Sequence, residues 1–160
     1  MKTIVLATDG SPSAVQATAV AIELAAAADA PLHVMTAWSI PLTAYGYAPL
    51  LEVPEVMDAE RANAQKAVAK AVAQAKAAGL DATSEVREGF PSEEICAVAR
   101  EADASLVVVG ARGWGTLKQL VFGSVSTGVL HHAPCPVLVV PGRTAAKHDD
   151  PEQLTVPTAV

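Results

Sequence analysis

Apolar runs of strand length alternate with longer segments of helical period along most of the chain, and this alternation predicts β-α-β units around a parallel sheet. Residues 3–7 form a short, continuous apolar run suited to a strand covered on both faces. Ser11 and Pro12 then supply an N-cap and a first-turn proline, so a helix is expected to begin there. Val15, Ala19, Ile22 and Ala26 recur along it at helical spacing, and Asp29-Ala30-Pro31 stops it before a second apolar run at residues 32–38.

Residues 39–54 are rich in proline, glycine and aromatic side chains without any period, which predicts a long loop of the kind that often carries function. An alanine-rich helix is expected over residues 55–78. It carries Met57, Ala64, Val68, Val72 and Ala75 on one face and Glu60, Lys66 and Lys70 elsewhere, and Gly79 ends it. Residues 81–88 alternate as an edge strand does, and Gly89-Phe90-Pro91 turns the chain. Ile95, Val98 and Ala102 then mark an amphipathic helix whose positive N-terminal end suits Glu93 and Glu94. Residues 106–109 read as a central buried strand ending at Gly110, residues 124–132 as a short helix, and residues 137–140 as the last strand.

Five strands joined by right-handed helical crossovers imply an α/β, Rossmann-like, doubly wound parallel sheet of order 3-2-1-4-5 with helices on both faces. One domain over residues 1–142 is expected, followed by a flexible tail at 143–160. The carboxyl ends of strands 1 and 4 then lie side by side, so Asp9 and Gly110 flank the crevice where open α/β sheets bind ligands.

Composition narrows the function classes. A chain of 160 residues with 51% hydrophobic and 18% charged side chains can bury one sizeable core, which excludes wholesale disorder. The net charge of −6 and the lack of a basic cluster argue against nucleic-acid binding. Residues 30–51 and 119–142 carry no Asp, Glu, Lys or Arg, but prolines, glycines, histidines and hydroxyl side chains interrupt both, so no membrane span is expected. The apolar start is cut short at Asp9-Gly10-Ser11-Pro12, too early for a signal peptide, and a cytoplasmic location is expected. Cys96 and Cys135 are too few for a metal motif and read as reduced core or near-core thiols; His33, His131 and His132 lack partners at ligand spacing.

The densest chemistry lies in Gly110-Ala111-Arg112-Gly113-Trp114-Gly115, which follows a strand and leads to Gly123-Ser124-Val125-Ser126-Thr127 at the start of a helix. Glycines admit close approach of a ligand to the backbone, and a helix start with hydroxyls beside it can hold phosphate oxygens, so Ser124, Ser126 and Thr127 are candidate phosphate contacts. Asp9 equally suits a turn or helix cap, Ser124 and Ser126 suit a helix start without ligand, and Arg112 and Lys118 suit solvated surface positions.

Gly110, two residues, Gly113, nine residues and Gly123-Ser124 together resemble the nucleotide-binding signature of the universal stress protein family. Thr8-Asp9-Gly10-Ser11, Gly89-Phe90-Pro91, Val107-Val108-Val109-Gly110 and Pro134-Cys135-Pro136 with the apolar strand after it are similar to that family in the same order. The resemblance is to its ATP-binding members. The residues and the resemblance together give an expected site of Thr8, Asp9, Val34, Gly110, Arg112, Gly113, Gly123, Ser124, Val125, Ser126 and Thr127 for ATP, with AMP and ADP as alternatives. In it Asp9 faces ribose or Mg, Val34 helps form the adenine pocket, and Gly110, Gly113, Gly123 and Ser124 hold phosphate; Arg112 lies in the loop but is not a fixed position of the signature. The resemblance also implies a homodimer through the Val137-Val140 edge strand, whose apolar edge invites pairing in any case.

The expected function is an ATP-binding stress-response or signalling factor with slow or no hydrolysis, because the loop lacks the Gly-Lys-Ser or Gly-Lys-Thr of a P-loop. Two alternatives are a nucleotide-using enzyme, either an ATPase or a nucleotidyl or phosphoryl transferase, and a nucleotide-independent dimeric interaction module.

Overall fold

The computed structural model describes residues 2–39, 54–111 and 123–142. Arg112, Gly113, Trp114, Lys118, nearly all of the 39–54 loop and the 143–160 tail lie outside the described residues. Five parallel strands, β1 (Ile4–Ala7), β2 (Leu32–Trp38), β3 (Ala82–Glu88), β4 (Leu106–Gly110) and β5 (Val137–Val140), alternate with α1 (Pro12–Ala28), α2 (Pro54–Ala77), α3 (Pro91–Glu101) and α4 (Ser124–His132). The sheet order is β3-β2-β1-β4-β5, as the sequence pattern predicts. None of the described helices is long and apolar enough to cross a membrane.

The strands are apolar on both faces because each face meets helices. Ile4, Leu6, Leu32, Val34 and Val108 pack with α1 and α2 in one core layer. Val5, Ala7, Met35, Val107 and Val109 pack with α3 and α4 in the other. Register follows from this alternation: Leu6 lies between Val34 and Val108, and a slip by one residue would exchange the two layers.

Ser11 caps α1, its Oγ accepting from the Ala14 N–H at 3.4 Å. Asp29, left-handed at φ 48°, ends the helix where expected. The buried stripe differs from the expected one: Ala14, Ala17, Ala21 and Ala25 face the sheet, while Val15 is exposed. The helix is alanine-rich on every side, so its period could not choose a face. The sheet chooses, because alanine lets the helix lie close to it.

At the β3 edge the α3 side of the sheet is polar. His33 contacts Thr83 and Glu85 across the β2–β3 pair, each at 2.8 Å. Arg87 donates to Glu85 at 2.8 Å and reaches both oxygens of Glu101 on α3. Burial would raise the Glu85 pKa, but the hydrogen bonds from Arg87 and His33 outweigh it and hold the group below its ordinary value. The hydrogen bond from Arg87 likewise lowers Glu101.

Two outcomes follow from this packing. A Cβ at Gly110 would lie 2.6 Å from Ser13 Oγ and 2.8 Å from the Ala14 backbone nitrogen, so Gly110→Ala should lower stability in urea unfolding by about 1–3 kcal/mol, the usual cost of overpacking. Lowered carboxylate pKa values contribute stability above the unfolded value and lose it in acid. The advantage of the native chain over Arg87→Met should therefore be present at neutral pH and fade as pH falls below 4.5 through the depressed Glu85 and Glu101 values, as read from thermal midpoints across a pH series.

Candidate functional site

A cavity of about 760 Å³ opens at the carboxyl ends of β1, β2 and β4, the position expected for the switch point of this strand order. Its apolar part is continuous with the α3/α4 core layer, through Ala7, Met35, Ile95 and Val109. Thr8, Asp9 and Gly10 form its rim after β1, and Thr36, Ala37, Trp38 and Ser39 form the wall after β2. Glu60, Asn63, Lys66 and Lys70 line it from α2, while Gly110 and Val125 line it from β4 and α4.

The rim is held by its own polar groups. The Thr8 N–H donates to the Met35 carbonyl at 3.0 Å. The Thr36 hydroxyl donates to the Thr8 carbonyl and ties the exits of β1 and β2 together. Thr8 Oγ1 accepts from the Gly10 N–H at 3.3 Å, and Asp9 Oδ1 accepts from the Ser11 N–H at 2.9 Å. Gly10 takes φ +74°, a left-handed conformation that a side chain would strain. Asp9 thus shapes the turn before α1 and also stands exposed on the cavity, so its two candidate roles coexist.

On the α4 side the candidate residues separate. The Gly123 N–H donates to the Ala111 carbonyl at 2.8 Å and brings the two ends of the glycine-rich segment together. Ser126 is buried, with its hydroxyl shared between the Ala111 and Gly123 carbonyls at 3.1 and 3.0 Å. Its proton fastens that closure, which fits the helix-start role that the sequence also left open for Ser126. Ser124 and Thr127 are exposed on the first turn of α4, and Val125 there reaches the cavity. Gly110 lines the cavity and also admits α1 against β4, so packing alone demands glycine at that position.

Val34 is a core residue, as a strand of a parallel sheet allows. It is fully buried in the α1/α2 layer beside Leu6, in mid-strand, and does not line the cavity. Ala7, the last residue of β1, pairs with Met35, so the part of β2 that reaches the crevice begins at Met35. Parallel register applied to the second strand would have found Thr36, Ala37 and Trp38. Trp38 lines the cavity, with the Arg61 guanidinium 5.7 Å from its ring centre.

Lys66 and Lys70 escaped the sequence reading because a cavity-facing lysine and a solvated one share the same helical spacing. Among the described residues no group of three or more His, Cys, Asp or Glu is placed to hold a metal ion. Burial pushes both thiols, Cys96 and Cys135, upward in pKa, and neither lines the cavity.

The model of the Universal stress protein family matches residues 1–141. A Thermus aquaticus protein, "Universal stress protein in QAH/OAS sulfhydrylase 3'region", is 40% identical over 139 residues, covering 87% of this chain and 98% of the relative. Among solved structures, the universal stress protein UspA from Lactobacillus plantarum has a TM-score of 0.76 at 26% identity, over 87% of this chain and 97% of its own. A universal stress protein solved in complex with cAMP is 30% identical, with a TM-score of 0.65 over 89% of this chain and 98% of that one. With the match running from the first strand to the last, the chain belongs to the universal stress protein family.

Proposed function

We propose that the chain binds an adenine nucleotide in the β1/β2/β4 crevice, with ATP as the leading ligand and ADP and AMP as alternatives. In this reading it acts as a nucleotide-dependent stress-response or signalling factor with slow or no hydrolysis, and it resides in the cytoplasm. The observation that carries the reading is the cavity itself. Its volume of about 760 Å³ suits a nucleotide, and an apolar recess, an acidic turn and the first turn of a helix meet around it. The cAMP complex of a relative 30% identical to this chain supports the ligand class.

Met35, Ala37, Trp38 and Ile95 would receive the base. Ser124, Thr127 and the first-turn N–H groups of α4 would take phosphate oxygens, with Gly113 and Arg112 contributing from the loop. The exposed carboxylate of Asp9 is a hard oxygen donor that suits magnesium, and it would hold the ion together with phosphate and water oxygens. Bound magnesium would neutralise phosphate charge. Homodimerisation through β5 belongs to the same reading. That strand is an edge of the sheet, and Val137, Leu138 and Val139 on it are only half-buried.

Calorimetric titration of nucleotide-stripped protein with ATP and AMP, each with and without magnesium, tests this reading. Saturable binding is expected, and Gly123→Val should abolish it. Gly123 has φ −65° and ψ 161°, which valine tolerates, so the loss would come from side-chain bulk. Asp9→Asn keeps an acceptor for the Ser11 N–H and removes the charge, so it should weaken the magnesium titration by about tenfold and the metal-free one little. Equal losses in both would assign Asp9 to the sugar; no binding by folded native protein would contradict the reading.

A further inference from the structure

We infer that Lys66 and Lys70 form a cationic wall that selects for the phosphate chain, making the occupant of the crevice a nucleoside polyphosphate in preference to a nucleoside or monophosphate. The inference rests on the nucleotide reading above and extends it, since neither lysine belongs to the glycine-serine segment. The two residues stand four apart on α2, so they share one face of the helix, and both line the cavity. Between them Ala67 meets the acidic turn: a Cβ at Gly10 would lie 3.5 Å from Ala67 Cβ. This stretch of α2 therefore lies beside the segment that carries Asp9.

The chain's net charge is −6, and Lys2, Arg61 and Arg87 are matched with Asp103, Glu88 and the glutamates beside Arg87, whereas Lys66 and Lys70 stand on the cavity wall. Among the described residues, neither Lys66 nor Lys70 makes an ion pair. Like charges at this helical spacing repel, so placing both on the cavity costs the helix a little; with Asp9 and Glu60 also on the lining, the positive potential is local to the Lys66–Lys70 stretch of α2. A polyanion relieves that repulsion. A lysine is a point charge on a long stem, so it follows a phosphate chain without fixed geometry, and its contribution scales with ligand charge and is weakened by salt.

The test compares the native protein with the Lys66→Gln, Lys70→Gln double variant and the Lys66→Arg, Lys70→Arg double variant, by calorimetry with ATP, AMP and adenosine at low and high salt. Both side chains are exposed and glutamine is a good helix former, so the fold should persist. The expected result is an ATP affinity about tenfold lower in the glutamine variant with adenosine unchanged, a shallower salt dependence, and recovery with arginine. Native protein that binds ATP no better than adenosine, or a glutamine variant that keeps its ATP affinity, overturns the inference and leaves the nucleotide reading standing. Equal losses for all three ligands assign the lysines to the fold and overturn it too. Absence of binding by the native protein to any of the three overturns both.

Discussion

The first turn of α1 lies against the end of β4 so closely that Gly110 has no room for a side chain. That contact fixes where the crevice is. It brings the turn from β1 into α1 beside the exit of β4, at the point in the sheet where the chain's crossovers change direction. Ser13 and Ala14, the residues that press on Gly110, follow directly on the Ser11 cap, so capping, helix entry and sheet packing are one arrangement. The hydrogen bond from Thr36 to the Thr8 carbonyl does the same on the other side, holding the exit of β2 against that of β1. A ligand at this point meets backbone held from both sides, which lowers the ordering cost of binding.

The strands were legible because a parallel strand covered on both faces must be apolar throughout, and residues 3–7, 32–38, 106–109 and 137–140 stand out against the helices that separate them. Helix ends were legible where the chain carries caps and stops, as at Ser11-Pro12, Asp29 and Gly123. What was not legible depended on which way a side chain turns. In α1 alanines stand on every side of the helix, so the pattern chose Val15 and Ala19 where the sheet chose Ala14 and Ala17. Val34 lies in the core of β2, and register makes Met35 the first residue of that strand on the cavity.

The candidate site shows the same division. Asp9 and Gly110 follow from strand order alone, and the structure puts both on the cavity. Ser126 has the right residue type in the right segment, but burial commits its hydroxyl to two carbonyls. Lys66 and Lys70 lie far from any motif, and only the packing of α2 on the β1 turn reveals them as part of the wall. A motif marks where backbone must approach a ligand closely. The side chains that grade the ligand's charge can come from any element that closes the cavity.

Amide hydrogen exchange with and without saturating ATP and magnesium reads out whether a nucleotide occupies this crevice. With the nucleotide in place, exchange should slow in the turn at residues 9–11 and in the first turn of α4 at residues 124–126, with β3 unchanged. Protection confined to the β5 edge, or none at either turn with ligand shown to be bound, would contradict that placement.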